Sequence, residues 1–221
     1  MSYNLHRSDK ESDWANIPDV KRNIWQKIAT RTGGVVTPAN VMTDLGVWVV
    51  HKGLKDFQQG EKLKGVLEIA TGHLFDAGDG FLADLTKTKS PLGEVHDAVA
   101  DKVKEAFELT SLTKSGDIPP LSALVMGTHG VIMGVLTGVA QVRGVRTHSS
   151  LPGKLATGAK AAAITHYTGS AVAQESGHTT AATWLRQAGH LAVGAVLIEG
   201  VAGIINMTQE AFAVRTPENS L

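Results

Sequence analysis

The sequence specifies an all-α chain, and three observations carry that expectation. Aromatic residues make up only 5% while there are 24 glycines, a composition that suits helices packed closely together, in water or in lipid. From Val20 onward, apolar residues recur at helical spacing, as in Val20, Ile24, Trp25 and Ile28. The stretch from Pro119 to Val142 holds no Asp, Glu, Lys or Arg, and His129 is its one ionisable group. That stretch is long enough to cross a bilayer, which takes about 20 residues.

A chain of 221 residues can bury a real core as one domain. Basic and acidic residues balance at 21 each, so nothing supports nucleic-acid binding driven by net positive charge. The absence of cysteine excludes disulfides and thiolate metal sites.

In chain order, residues 1–16 form a polar tail, without the charged, apolar and cleavage regions of a signal peptide. Residues 17–32 form an amphipathic helix whose apolar series is flanked by Lys21, Arg22, Lys27 and Arg31. Such a helix suits an anionic membrane surface; a solvated helix packed on its own domain fits the same pattern. Gly33-Gly34 ends it, and Thr37-Pro38 opens a helix to about Lys55, with proline suited to a first turn. After a polar connection at Gln59-Gly60-Glu61, a helix from Lys62 to Leu82 carries Asp76 and Asp79 near its C-terminal end. A loop with Lys87, Lys89 and Ser90-Pro91 leads to a helix from Leu92 to Leu112, carrying Gly93, Asp97 and Asp101.

The uncharged helix follows, with Gly130, Gly134 and Gly138 at four-residue intervals, a small-residue face open to close packing. Arg143, Arg146 and His148 make a basic loop ahead of Pro152-Gly153-Lys154-Leu155-Ala156-Thr157. Three other apolar stretches are interrupted: by Asp44, by Lys160 with His166, and by Glu199. Mean hydropathy is close to zero, and hydropathy alone gives one span in an otherwise soluble helical bundle. His129, His166 and His190 lie on separate helices without ligand-like spacing, and are read as packing histidines. The last helix ends near Phe212, and residues 216–221 are a polar tail.

The aspartates are the chemical signal. On helices, separations of three (Asp76, Asp79) and four (Asp97, Asp101) put both carboxylates on one face, where they repel by roughly 0.2–0.5 kcal/mol per exposed pair. Two such pairs close together imply a cation between them, and hard divalent cations take oxygen ligands beside substrate phosphates. Alone, Asp76–Gly80 also fits an Asp-Gly surface turn. An EF-hand loop, which needs oxygen-bearing residues at alternate positions, is excluded.

Asp76-x-x-Asp79-Gly80-x-x-Ala83, then Gly93-x-x-x-Asp97-x-x-x-Asp101, resembles the signature of the CDP-alcohol phosphatidyltransferases. Asp97-Ala98-Val99-Ala100-Asp101-Lys102 and the Gly153-Lys154 stretch resemble phosphatidylglycerophosphate synthases in particular. The resemblance implies a six-helix integral membrane bundle with an N-terminal interfacial helix, spanning residues 17–215 as one domain, its active site facing the cytoplasm. It also implies a homodimer. The implied activity moves a phosphatidyl group from CDP-diacylglycerol to a small alcohol, best guessed as glycerol 3-phosphate, releasing CMP with two Mg²⁺ or Mn²⁺ ions. Asp76, Asp79, Asp97 and Asp101 are then metal ligands, and Asp101 is also the general base. Ala39, Asn40 and Thr43, in a stretch like the family's P-N-x-x-T but with Ala39 inserted between Pro38 and Asn40, join Gly80, Ala83, Ser90 and Gly93 around the CDP-lipid. Arg146 and Lys154 are candidates for an acceptor phosphate, since fixed cations suit one. One position departs: Asp84 stands where the family has the Arg that helps hold the diphosphate. The expectation is that Asp84 turns away and that Lys87 or Lys89 supplies the missing charge. The rival readings are a catalytically impaired relative and a soluble helical bundle that binds a metal or a partner.

Overall fold

Prolines and hydroxyl side chains open the helices. Thr37 caps α2 (Pro38–Gln58) by accepting the Asn40 amide at 3.1 Å, with Pro38 in the first turn. Ser90 accepts the Gly93 amide at 3.0 Å at the head of α4 (Pro91–Lys114), and Ser150 does the same for α6 (Leu151–Glu175) from Gly153. Asn23 and Gln26 form a reciprocal capping box on α1 (Ile24–Arg31). The remaining α-helices are α3 (Lys62–Thr86), α5 (Pro120–Val142) and α7 (Thr179–Phe212). Gly60, Gly116 and Gly177, all at positive φ, lie just beyond the ends of α2, α4 and α6. The computed structural model describes residues 12–142 and 150–212, side chains of 141, 142 and 211 excepted, and among them the regular structure is entirely helical.

The starts expected at Pro38, Lys62, Leu92 and Pro119 fall within a residue of those of α2, α3, α4 and α5; at the N-terminus the structure differs. There, Asp19–Lys21 form a single 3₁₀ turn and α1 begins only at Ile24. Gln26 and Ala29 are its buried residues, while Val20, Ile24 and Trp25 are exposed. Residues 12–16 are not a loose tail: Trp14 is buried, and the Asp13 amide donates to the Lys89 carbonyl at 3.0 Å.

The chain falls into two compact units that divide within α4, between Glu108 and Leu109. In the first, α2 and α3 pack along most of their length. A Cβ on Gly53 would come within 2.7 Å of the Gly65 carbonyl oxygen, and one on Gly46 within 2.9 Å of the Gly72 carbonyl oxygen. Only hydrogen at these four positions allows the two backbones to touch. In the second unit, α7 packs on α6 and α5. Tyr167 on α6 bonds Ser122 on α5 and His190 on α7, each at 2.9 Å. Gly200 abuts the His129 ring, and Gly203 the backbone at Gly153. Of the small-residue face expected on α5, Gly130 is buried, while Cβ atoms on Gly134 and Gly138 would meet nothing within 4 Å.

Two helices, over Pro120–Ala140 and Thr179–Glu210, are long and apolar enough to cross a membrane. That is one more than hydropathy alone gave and fewer than the six of the resemblance. The other long helices among the described residues, α2, α3, α4 and α6, have the length and carry too many polar groups to pass the same test.

Candidate functional site

The site lies in the first unit, where the C-terminal half of α3 and the N-terminal half of α4 flank the loop 87–90. Helical periodicity brings three of the four aspartates together. Asp76, Asp97 and Asp101 each offer a carboxylate oxygen within 4.8 Å of the others. Asp79 faces α2 instead. It is 7% exposed, and the Thr43 hydroxyl donates to it while also lying 3.1 Å from the Ala39 carbonyl. On Asp97, Oδ1 is buried and has no hydrogen-bond partner. A carboxylate oxygen in that state is costly unless something positive completes it.

Lys104 was not anticipated. Its side chain is 1% exposed, and its ammonium donates to Asp76 Oδ1 and lies 3.0 Å from Asp101 Oδ1. One turn further along, His73 Nε2 lies 2.6 Å from Glu108. The sequence signal for Lys104 was its spacing of three from Asp101, which more often marks a solvated ion pair. Lys102, the lysine inside the recognised stretch, pairs outward with Glu105 at 2.9 Å.

Beside the aspartates opens a cavity of about 180 Å³. Ala39, Asn40, Thr43, Gly80, Ala83, Ser90 and Gly93 all line it, with Asp79 and Asp97 on its wall. Thr37, Thr88 and Glu94 also line it and were not anticipated, as does Lys89, one of the two lysines expected to supply positive charge. Several of these side chains carry structural duties. Asn40 donates to the carbonyls of Gly34 and Val35, at 3.1 and 2.9 Å, and Ser90 caps α4. A Cβ on Gly93 would press on Ser90 Oγ and Asn40 Oδ1, so glycine lets α4 start against α2. A Cβ on Gly80 would meet nothing within 4 Å, which leaves that wall open to a ligand.

The loop that closes the cavity is tied down from the N-terminal side. Asn23 donates to the Thr86 carbonyl and Gln26 to the Lys87 carbonyl, at 3.0 and 3.2 Å, while Asp13 accepts the Lys89 amide. Lys87 sits in the left-handed region, at φ 54, as α3 ends. Asp84 is solvent-facing, 58% exposed, and pairs with the Lys89 ammonium at 2.8 Å. Of the two lysines considered for the missing charge, Lys89 lines the cavity and Lys87 does not.

The acceptor-phosphate candidates lie elsewhere in the chain. Lys154 is exposed in the first turn of α6, within the second unit. Arg146, with Arg143 and His148, lies outside the described residues. Of the histidines, His190 bonds Tyr167, His166 bonds its own helix at the Ala162 carbonyl, and His129 packs on Gly200.

The donor set is hard: oxygen only, from carboxylates, with one oxygen left orphaned. Those residues fit a divalent cation such as Mg²⁺ or Mn²⁺. Comparison with curated proteins and with solved structures finds no match. The family model for CDP-alcohol phosphatidyltransferases does match, over residues 35–197. That match covers well over half of the sequence and contains both aspartate pairs, and the chain therefore belongs to the CDP-alcohol phosphatidyltransferase family.

Proposed function

We propose that this chain is an active phosphatidyltransferase of phospholipid synthesis, using CDP-diacylglycerol as donor and a small alcohol as acceptor. The observation that carries the reading is the convergence of Asp76, Asp97 and Asp101 beside a cavity lined by all seven residues expected around the CDP-lipid. Divalent cations held by Asp76, Asp79, Asp97 and Asp101 would neutralise the diphosphate and stabilise charge on the departing oxygen. The remaining work belongs to the chain. Gly80 leaves room for the nucleotide at the wall, and Lys89 brings positive charge to it. Asp101 accepts the proton of the acceptor hydroxyl as its oxygen bonds to phosphorus, while the bond from phosphorus to the CMP oxygen breaks. Proton transfer of this kind needs hydrogen-bond reach, and Asp101 is exposed, which allows an alcohol to approach it.

Asp84 argues for the impaired alternative only if it faces the diphosphate. Its exposure and its bond to Lys89 favour a different role, that of holding a lysine where relatives have an arginine. Lys154 and Arg146 are retained as candidates for an acceptor phosphate, and glycerol 3-phosphate is the first acceptor to try. Six spans, cytoplasmic chemistry and a homodimer complete the proposal. Burial of Asp79, Lys104, Glu108 and Lys160 in a chain with many exposed apolar side chains supports the spans, since polar groups within a membrane face inward.

The test is CMP release from CDP-diacylglycerol by the detergent-solubilised full chain, with Mg²⁺ or Mn²⁺ and a panel of acceptor alcohols. Wild type is expected to release CMP with at least one acceptor, and Asp97→Asn to lose about 100-fold or more. Wild-type protein no faster than Asp97→Asn on every acceptor would leave the impaired reading in its place.

A further inference from the structure

Lys89 brings positive charge to the cavity from the loop between α3 and α4, and a loop does not fix a side chain as a helix does. Its backbone is held from outside instead. The Asp13 amide donates to the Lys89 carbonyl, and the Lys89 amide donates to the Asp13 carboxylate, both at 3.0 Å. One residue thus grips both backbone polar groups of the other. Just upstream, Asn23 donates to the Thr86 carbonyl and Gln26 to the Lys87 carbonyl. Lys87 lies at φ 54, a conformation that costs a non-glycine residue and persists where neighbours hold it.

Trp14 makes Asp13 a fixed post. Its side chain is buried, and a Cβ on Gly34 would lie 3.5 Å from the Trp14 ring and 3.1 Å from Ser90 Oγ. Gly34, at φ 89, therefore lets the indole seat beside the residue that follows Lys89. At the far end of the lysine, the Asp84 carboxylate lies 2.8 Å from the ammonium. An ammonium is a compact charge on a flexible stem, so where it acts depends on both ends being held. We propose that Asp13 is a positioning residue for the CDP-lipid: anchored by Trp14, it fixes the Lys89 backbone so that the ammonium meets the donor's diphosphate at the cavity wall.

The carboxylates of Asp84, Asp13 and Glu94 all act on this ammonium, so loss of Asp13 has two opposed consequences. It frees the Lys89 backbone, and it eases repulsion of an anionic ligand. Asparagine separates the two, since it drops the charge and keeps an oxygen for the Lys89 amide.

The proposal rests on the reading of the cavity as the CDP-lipid site, and binding tests the two separately. The full chain in detergent with Mg²⁺ would be titrated with CDP-dioleoylglycerol by isothermal titration calorimetry, with CMP release followed in parallel. Asp13→Ala is expected to raise Kd and KM by about three- to tenfold with kcat nearly unchanged. Asp13→Asn is expected to keep the wild-type constants. In a Lys89→Met background, Asp13→Ala is expected to add nothing, because the group it positions is gone. An unchanged Kd in Asp13→Ala, tighter binding in both Asp13 variants, or the same rise with and without Lys89 would overturn the positioning role and leave the CDP-lipid reading standing. Wild type that neither binds CDP-dioleoylglycerol nor releases CMP would overturn both. Asp13 is exposed, so its variants are expected to fold. Should Asp13→Ala lose its helical circular-dichroism signal, Asp13→Glu takes its place, since it keeps the charge and misplaces the bond.

Discussion

The Thr43 hydroxyl gives its proton to a carboxylate that is 7% exposed, and that one bond holds Asp79 toward α2 on the cavity wall. Partners that orient a metal ligand typically contribute 10–100-fold in metal affinity or activity. Thr43→Val keeps the shape and removes the donor, so its Mn²⁺ dissociation constant is expected to rise by about 10–100-fold while the helical circular-dichroism signal is kept. An unchanged constant would mean that Asp79 is not a ligand. Lys89 is argued on the same scale. The Asp84 carboxylate bonded to it holds its pKa above the usual lysine value of 10.5, so the ammonium persists as pH rises until well above 10. A hydrogen bond from an ionised donor to a phosphate is stronger than a neutral one, and exposure at the cavity wall screens it in part. Lys89→Met is therefore expected to raise KM for CDP-diacylglycerol about tenfold with kcat nearly unchanged, as loss of uniform binding requires. In the wild type, the Lys89 contribution to KM is expected to be flat from pH 7 to 9, read as a constant ratio between the two proteins.

At the scale of helices, the first unit depends on two glycine pairs, Gly46 with Gly72 and Gly53 with Gly65, seven residues apart on each helix. Gly53→Val would push a side chain into the Gly65 carbonyl and the Glu68 and Ile69 backbone region, where the nearest atoms lie at 2.7–2.9 Å. Overpacking of this kind costs about 1–3 kcal/mol, and the thermal midpoint in detergent is expected to fall by several degrees, with CMP release lost in step. The same change at Gly134, which faces open space, is expected to leave the midpoint within a degree or two. This pairing was not legible in the sequence, because a seam is a property of two helices. A four-residue rhythm in the uncharged α5 looked like one, while the true seam used a seven-residue rhythm in helices carrying charge. Helix starts were legible where local chemistry marks them, as at Thr37-Pro38 and Ser90-Pro91, whereas the Ser150 cap of α6 was not read. The candidate site was legible in part, because fixed spacing on α3 and α4 carries Asp76, Asp97 and Asp101 to one place. Lys104 was not, since nothing in a three-residue separation from Asp101 says whether the lysine is buried.

Among the described residues, several polar side chains lie inside and many large apolar ones lie outside. Asp79, Lys104, Glu108, Lys160 and Ser170 are buried, while Leu74, Phe81, Leu85, Leu124, Trp184, Leu191 and Ile198 are exposed. A mean hydropathy adds polar and apolar residues wherever they sit, so a value near zero does not separate spanning helices from a soluble bundle. α1 shares the pattern, with Val20, Ile24 and Trp25 outward and Gln26 buried against the loop beside the cavity. Burying a large apolar side chain is worth about 1.5–3 kcal/mol, so the seven named above represent roughly 10–20 kcal/mol that water would withhold and lipid would supply. A protein so built is expected to sediment with membranes, to stay there through an alkaline carbonate wash, and to be released only by detergent. Surface attachment through α1 alone would be reversed by that wash, so the experiment distinguishes spanning helices from a peripheral bundle. Recovery in the supernatant, folded and without detergent, would remove the membrane reading and leave the aspartates as a metal site of a soluble helical protein.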